Sequence, residues 1–141
     1  MNEENLNIRW KQRFENYQKA LATLQKVVKQ TEEDSCGQDN QEMHEMALIQ
    51  SFEFVFELGW KTMKDFLQAE GYKDSVSPRG VIKQCFANDY IQNGEIWLKA
   101  LEDRNRTTHT YDENKIKQIV DNIREEYLEV FIDLDNFLKV K

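Results

Sequence analysis

Trp10, Phe14, Tyr17, Leu21, Leu24 and Val28 follow one another at steps of 4, 3, 4, 3 and 4 residues. An α-helix turns once every 3.6 residues, so these six side chains form a single apolar seam. They predict a long amphipathic helix from about Asn7 to about Thr31, whose seam another element must cover. Lys11, Arg13, Glu15, Lys19 and Lys26 fall on its other faces. The far end of the chain repeats the pattern. Ile116, Val120, Ile123, Tyr127, Val130, Leu134 and Phe137 step by 4, 3, 4, 3, 4 and 3. This predicts a last helix starting near Tyr111, with Thr110 and Glu113 as a capping box.

The middle of the chain supplies the covering elements. Glu32 to Gln41 is polar, contains Gly37 and reads as a connection. A second helix is expected from about Gln41 to about Glu70, stopped by Gly71. Its centre, Ser51 to Trp60, alternates like a strand. However, Met46, Ile49, Phe56, Trp60, Met63 and Leu67 continue a helical period well beyond strand length, and Phe52, Val55 and Phe66 widen the apolar face. Gly59 in such a helix costs about 1 kcal/mol against alanine, which suggests close approach of another backbone. Ser77 and Pro78 read as the cap and first residue of a short third helix, with Val81, Ile82, Cys85 and Phe86 inward. Asn93-Gly94 breaks the chain before a fourth helix, about Glu95 to Arg106, with Trp97, Ala100, Leu101 and Arg104 in one row. These elements describe an all-α, antiparallel four-helix up-and-down bundle with one short extra helix, as a single domain over residues 1–141.

Composition narrows the function. The net charge is −7, which argues against a broad footprint for duplex DNA but leaves room for a local basic site or a basic protein partner. Two cysteines, Cys36 and Cys85, are too few for a disulfide framework and too isolated for zinc. His44 stands among methionines, without the ligand cluster a metal needs, so neither metal nor cofactor is expected. The polar, acidic N-terminus lacks a leader's apolar core, and no run approaches the ~20 apolar residues of a membrane span. A cytoplasmic, soluble protein is expected.

The residues best suited to chemistry lie in Arg104-Asn105-Arg106-Thr107-Thr108-His109-Thr110-Tyr111. Arg104 and Arg106 can hold phosphate, Asn105 can orient a phosphate or hydroxyl, and His109 titrates near neutral pH. Tyr111 can position substrate or accept a modification. On one continuous helix, Arg104 and His109 would point about 140° apart. They can meet only if the helix breaks, and the weak helix formers Thr107 and Thr108 mark where. Free amides at the start of the next helix would also favour a phosphate. The same spacing fits a plain surface, with Arg104 paired to Glu102 or Asp103 and His109 in a turn. Glu53 and Glu57 read as flank or interface charges that, if buried, would meet Arg104 or Arg79 across the bundle. Arg79 could line the same cleft.

Arg104 to Tyr111 matches R-x4-H-x-Y and so resembles the motif of HepT-type proteins in the HEPN superfamily. Arg9 to Phe14, Gln50 to Glu53, Leu58 to Lys61 and Ser77 to Arg79 resemble the subgroup of nucleotidyltransferase substrate-binding proteins, so the likeness covers most of the chain from Arg9 to Phe137. The resemblance implies a homodimeric helical bundle working with a minimal nucleotidyltransferase. It implies a metal-independent RNA endonuclease, the toxin of a toxin–antitoxin pair, with Arg104 and His109 catalytic and Asn105 auxiliary. The partner would silence it by transferring AMP to Tyr111. The subgroup also implies an alternative, a non-catalytic subunit that presents substrate to the nucleotidyltransferase.

Overall fold

The computed structural model describes residues 2–33, 38–107 and 112–141, in which all regular structure is helical. The long helices α1 (Glu3–Glu33) and α2 (Gln38–Ala69) run antiparallel. Trp10 meets Phe66 edge-on at 5.0 Å, Arg13 reaches Asp65, and Tyr17 lies against Gly59. Next come α3 (Pro78–Ala87), α4 (Gly94–Thr107) and α5 (Glu113–Asn122). A π-helical turn (Ile123–Tyr127) then leads into α6 (Leu128–Leu138). The expected all-α bundle with a short extra helix is thus present. The last helix differs in one respect. The amide of Leu128 donates to the carbonyl of Ile123, five residues back, so the helix carries a wide turn that the apolar stepping does not reveal.

All six residues of the first seam are buried. On α2, Phe52 and Phe56 are fully buried while Phe54 between them is 64% exposed. A strand would put the three on one face; a helix puts Phe54 opposite the other two. Phe52 stacks on Tyr127 and Phe131, and Phe56 packs on Trp97, so α2 is covered from several sides. Tyr17 crosses the core to donate its hydroxyl to the carbonyl of Phe131 at 2.6 Å. Burial, with Asp135 and Asp133 nearby, raises its pKa and keeps that proton in place.

Several expectations need correction. Gly59 faces side chains rather than a backbone: a Cβ there would lie 3.1 Å from the Tyr17 ring and 3.3 Å from the Trp97 ring. Met46 is exposed, although Leu48 two residues on is fully buried. Phe86 is also half-exposed, its ring lying over Gly94, where a Cβ would come within 2.8 Å. Arg13 turns from the polar side of α1 toward Asp65, which is 2% exposed; its Nε lies 2.9 Å from the carboxylate and that of Arg9 3.5 Å. The third helix begins as expected, with the Ser77 hydroxyl accepting from the Gly80 amide at 3.1 Å. Cys36 lies outside the described residues. Among the described residues, no helix is long and apolar enough to cross a membrane.

Two outcomes follow from this packing. Gly59→Leu should force the Tyr17 and Trp97 rings apart and destabilise the fold by about 1–3 kcal/mol, read as a lower urea midpoint. Burial pushes the Cys85 thiol up to about 12. The core holds the neutral thiol, so this contribution is complete below the ordinary value of 9.0 and is lost as pH rises toward 12. At pH 8, native Cys85 should be alkylated slower than in urea by on the order of a hundredfold.

Candidate active site at the end of the fourth helix

Helix α4 runs antiparallel to the C-terminal helical segment: Trp97 meets Phe131, and Lys99 bonds Glu126 at 2.8 Å. Trp97, Ala100 and Leu101 are buried and set the rotation of α4, which leaves Arg104 facing the edge of α2. There the guanidinium Nη2 donates to Glu57 Oε2 at 2.5 Å, and Nη1 donates to Asn105 Oδ1 at 3.3 Å. Lys61, one turn along α2, lies 3.3 Å from the other Glu57 oxygen. Arg104 and Glu57 are each about one-third exposed, at 35% and 32%. The fork is therefore anchored on one side and open to solvent on the other. The ordinary surface pairing with Glu102 or Asp103 does not occur. Glu57, expected to meet Arg104 or Arg79 only if buried, meets Arg104 while part-exposed.

Asp103 turns the other way. It is 4% exposed and accepts from the Tyr127 hydroxyl and, at 3.1 Å, from Asn122 Nδ2. Its second oxygen lies 3.7 Å from Arg106 Nη1. The Tyr127 hydroxyl is held protonated by burial and by its bond to Asp103, which push its pKa up. Sequence inspection missed this pair. The available signal was a tyrosine within an apolar row, since a buried phenol needs a polar partner.

The break expected between Arg104 and His109 falls partly outside the described residues; Asp112, just before α5, is extended. Helix α4 ends at Thr107, whose hydroxyl donates to the Arg104 carbonyl at 2.8 Å, and α5 begins at Glu113. Thr108, His109, Thr110 and Tyr111 lie outside the described residues, and so does the expected meeting of His109 with Arg104. The cap of α5 is Asp112, not Thr110: its carboxylate accepts from the Asn114 amide at 2.9 Å. That bond occupies the Asn114 amide, and the carboxylates of Asp112 and Glu113 stand at the helix end where a phosphate was expected. Arg79 is exposed in the first turn of α3, whereas Arg104 bonds Glu57 and Asn105. Lys99 is paired with Glu126. Among the described residues, no group of His, Cys, Asp and Glu could hold a metal ion.

The geometry of the Arg104–Glu57 pair makes its strength measurable. A double-mutant cycle with Arg104→Ala and Glu57→Ala should give a coupling of about 0.2–1 kcal/mol, as for part-exposed pairs, that shrinks as salt is raised. No coupling at low salt would mean that the pair does not hold in solution.

Residues 12–140 match the family described as nucleotidyltransferase substrate binding protein like. A Haemophilus influenzae protein named probable ribonuclease HepT is 32% identical over 94 residues, 64% of this chain and 57% of that protein. The chain thus spans less than two thirds of that relative. A solved Haemophilus influenzae structure, described as the fold of a substrate binding domain of a nucleotidyltransferase, superposes with a TM-score of 0.81 at 25% identity. It covers 89% of this chain and 98% of its own. A Thermus thermophilus structure superposes with a TM-score of 0.70 at 26% identity, covering 84% and 94%. With the match spanning nearly the whole bundle, the chain belongs to the nucleotidyltransferase substrate-binding protein family.

Proposed function

We propose that this protein is a HEPN-type RNA endonuclease, the toxin of a toxin–antitoxin pair, controlled by a partner minimal nucleotidyltransferase. The observation that carries this reading is Arg104: its fork is anchored by Glu57 and about one-third exposed, near the last described turn of α4. Arg104 holds the scissile phosphate and stabilises the charge that develops on it. His109 takes the proton from the RNA 2′-hydroxyl. The 2′-oxygen–phosphorus bond forms and the bond to the 5′-oxygen breaks, with a proton going to the leaving oxygen. The step leaves a cyclic phosphate and a free 5′-hydroxyl and uses no metal. Asn105, bonded to the Arg104 fork, keeps it in plane. Arg106 and Arg79 add local positive charge for the RNA backbone in a chain that is otherwise acidic. Two copies of the chain form the working unit. The partner silences it by AMP transfer: the Tyr111 oxygen bonds to the α-phosphorus of ATP, and diphosphate leaves. The HepT name of one relative supports the nuclease reading.

The second reading is a non-catalytic subunit that presents substrate to the nucleotidyltransferase. The description of the family and the carboxylates of Asp112 and Glu113 beside the motif favour it. One comparison separates the two. The purified protein should cleave RNA in the presence of a metal chelator, and His109→Ala should lower the rate by at least about a hundredfold. Incubation with the cognate nucleotidyltransferase and ATP should add AMP at Tyr111, located by mass spectrometry, and stop cleavage. Complex formation without cleavage or modification would establish the presenting subunit instead.

A further inference from the structure

The bond between Asp103 and Tyr127 has a role beyond closing a polar gap in the core. Asp103 immediately precedes Arg104 on the last turns of α4. Consecutive helical residues point about 100° apart, so a carboxylate pinned inward fixes the direction in which the next side chain leaves. The pin is unusual. One oxygen of Asp103 accepts from both Tyr127 and Asn122, residues five apart in sequence. On an α-helix such residues diverge by about 140° and could not converge on one atom. The wide turn from Ile123 to Tyr127, closed by the five-residue bond from Leu128 to Ile123, brings them to the same side. The Tyr127 ring is itself fixed, stacked at 5.3 Å on Phe52 of α2.

We infer that Asp103 is a positioning residue for Arg104, and that the π turn is the device that delivers Tyr127 and Asn122 to it. Helix α4 is thereby referenced to α2 twice. Tyr127 links Asp103 to Phe52, and Glu57 holds Arg104 directly. Phe52 and Glu57 lie five residues apart on one rigid helix, so the two contacts set both the rotation of α4 and the reach of the arginine. The inference rests on Arg104 as the working group of the proposed reaction, but its geometric part does not depend on that reaction.

Three variants test it. Tyr127→Phe removes the hydroxyl and keeps the stacked ring. Asp103→Ala removes the acceptor. Asp103→Asn keeps an oxygen able to accept from both donors and serves as the conservative rescue. The first readout is the Nη–H resonance of Arg104, whose two Nη atoms make its bonds to Asn105 and Glu57, assigned by its loss in Arg104→Lys and recorded beside the urea midpoint of each variant. A displaced, slowly exchanging signal is expected in the wild type and in Asp103→Asn. In Tyr127→Phe and Asp103→Ala it should move to the position of a freely rotating arginine while the protein stays folded. The second readout is RNA cleavage, where kcat should fall by about tenfold to a hundredfold in the two disrupting variants, with KM within about twofold. An unchanged Arg104 signal in a folded Tyr127→Phe would overturn the inference, as would a kcat equal to wild type. If the wild type cleaves no RNA, the nuclease reading fails while the resonance still decides whether Asp103 positions Arg104.

Discussion

Helix α2 is apolar around most of its circumference, and a helix of that kind cannot rest on a single neighbour. Phe52, Val55, Phe56, Met63, Phe66 and Leu67 are all buried, and their contacts reach α1, α4 and the C-terminal helix. The other elements are arranged by the need to cover it. Helix α1 lies antiparallel along one side, clamped by Tyr17 and by the pairing of Asp65 with Arg9 and Arg13. Gly59 lets the Tyr17 and Trp97 rings meet over the axis of α2, which sets how closely α1 and α4 approach.

The candidate site depends on that constraint. Arg104 is held across the bundle by Glu57, on the part-exposed flank of α2, as well as by its neighbour Asn105. The neighbouring Asp103 is held from the opposite direction by Tyr127 and Asn122. Consecutive residues are thus fixed by separate elements, one pointing into the core and one toward solvent. A surface arginine normally samples many rotamers; here two packed helices limit that freedom before any substrate arrives.

Much of the fold was legible in the chain. The seam from Trp10 to Val28 and the stepping from Ile116 to Phe137 mark long helices because burial selects apolar residues at the helical period. Ser77 and Pro78 mark a helix start because capping is local chemistry. The misreadings share a cause. Met46 and Phe86 lie in apolar patterns but are exposed, since periodicity reports which face could be buried, not whether a neighbour covers it. The cap of the last helix falls on Asp112 rather than the expected Thr110, since aspartate and threonine both make good caps and local sequence does not choose between them. The π turn leaves no mark, because its extra residue is absorbed within an unbroken apolar row.

The sequence by itself determined the helical class and the order of the elements. These depend on the period of apolar side chains and on residues that start or stop a helix, and both act within a few turns of chain. Tertiary structure alone decided what Arg104 touches. Glu57 is 47 residues away and is one of two glutamates that charge allows for Arg104 or Arg79, and Tyr127, the partner of the adjacent Asp103, lies on another helix, so spacing and charge left the choice open. Partners of that kind are selected by how the helices rotate against α2, and that rotation comes from the packing of Trp97, Tyr17 and Phe52 in three dimensions.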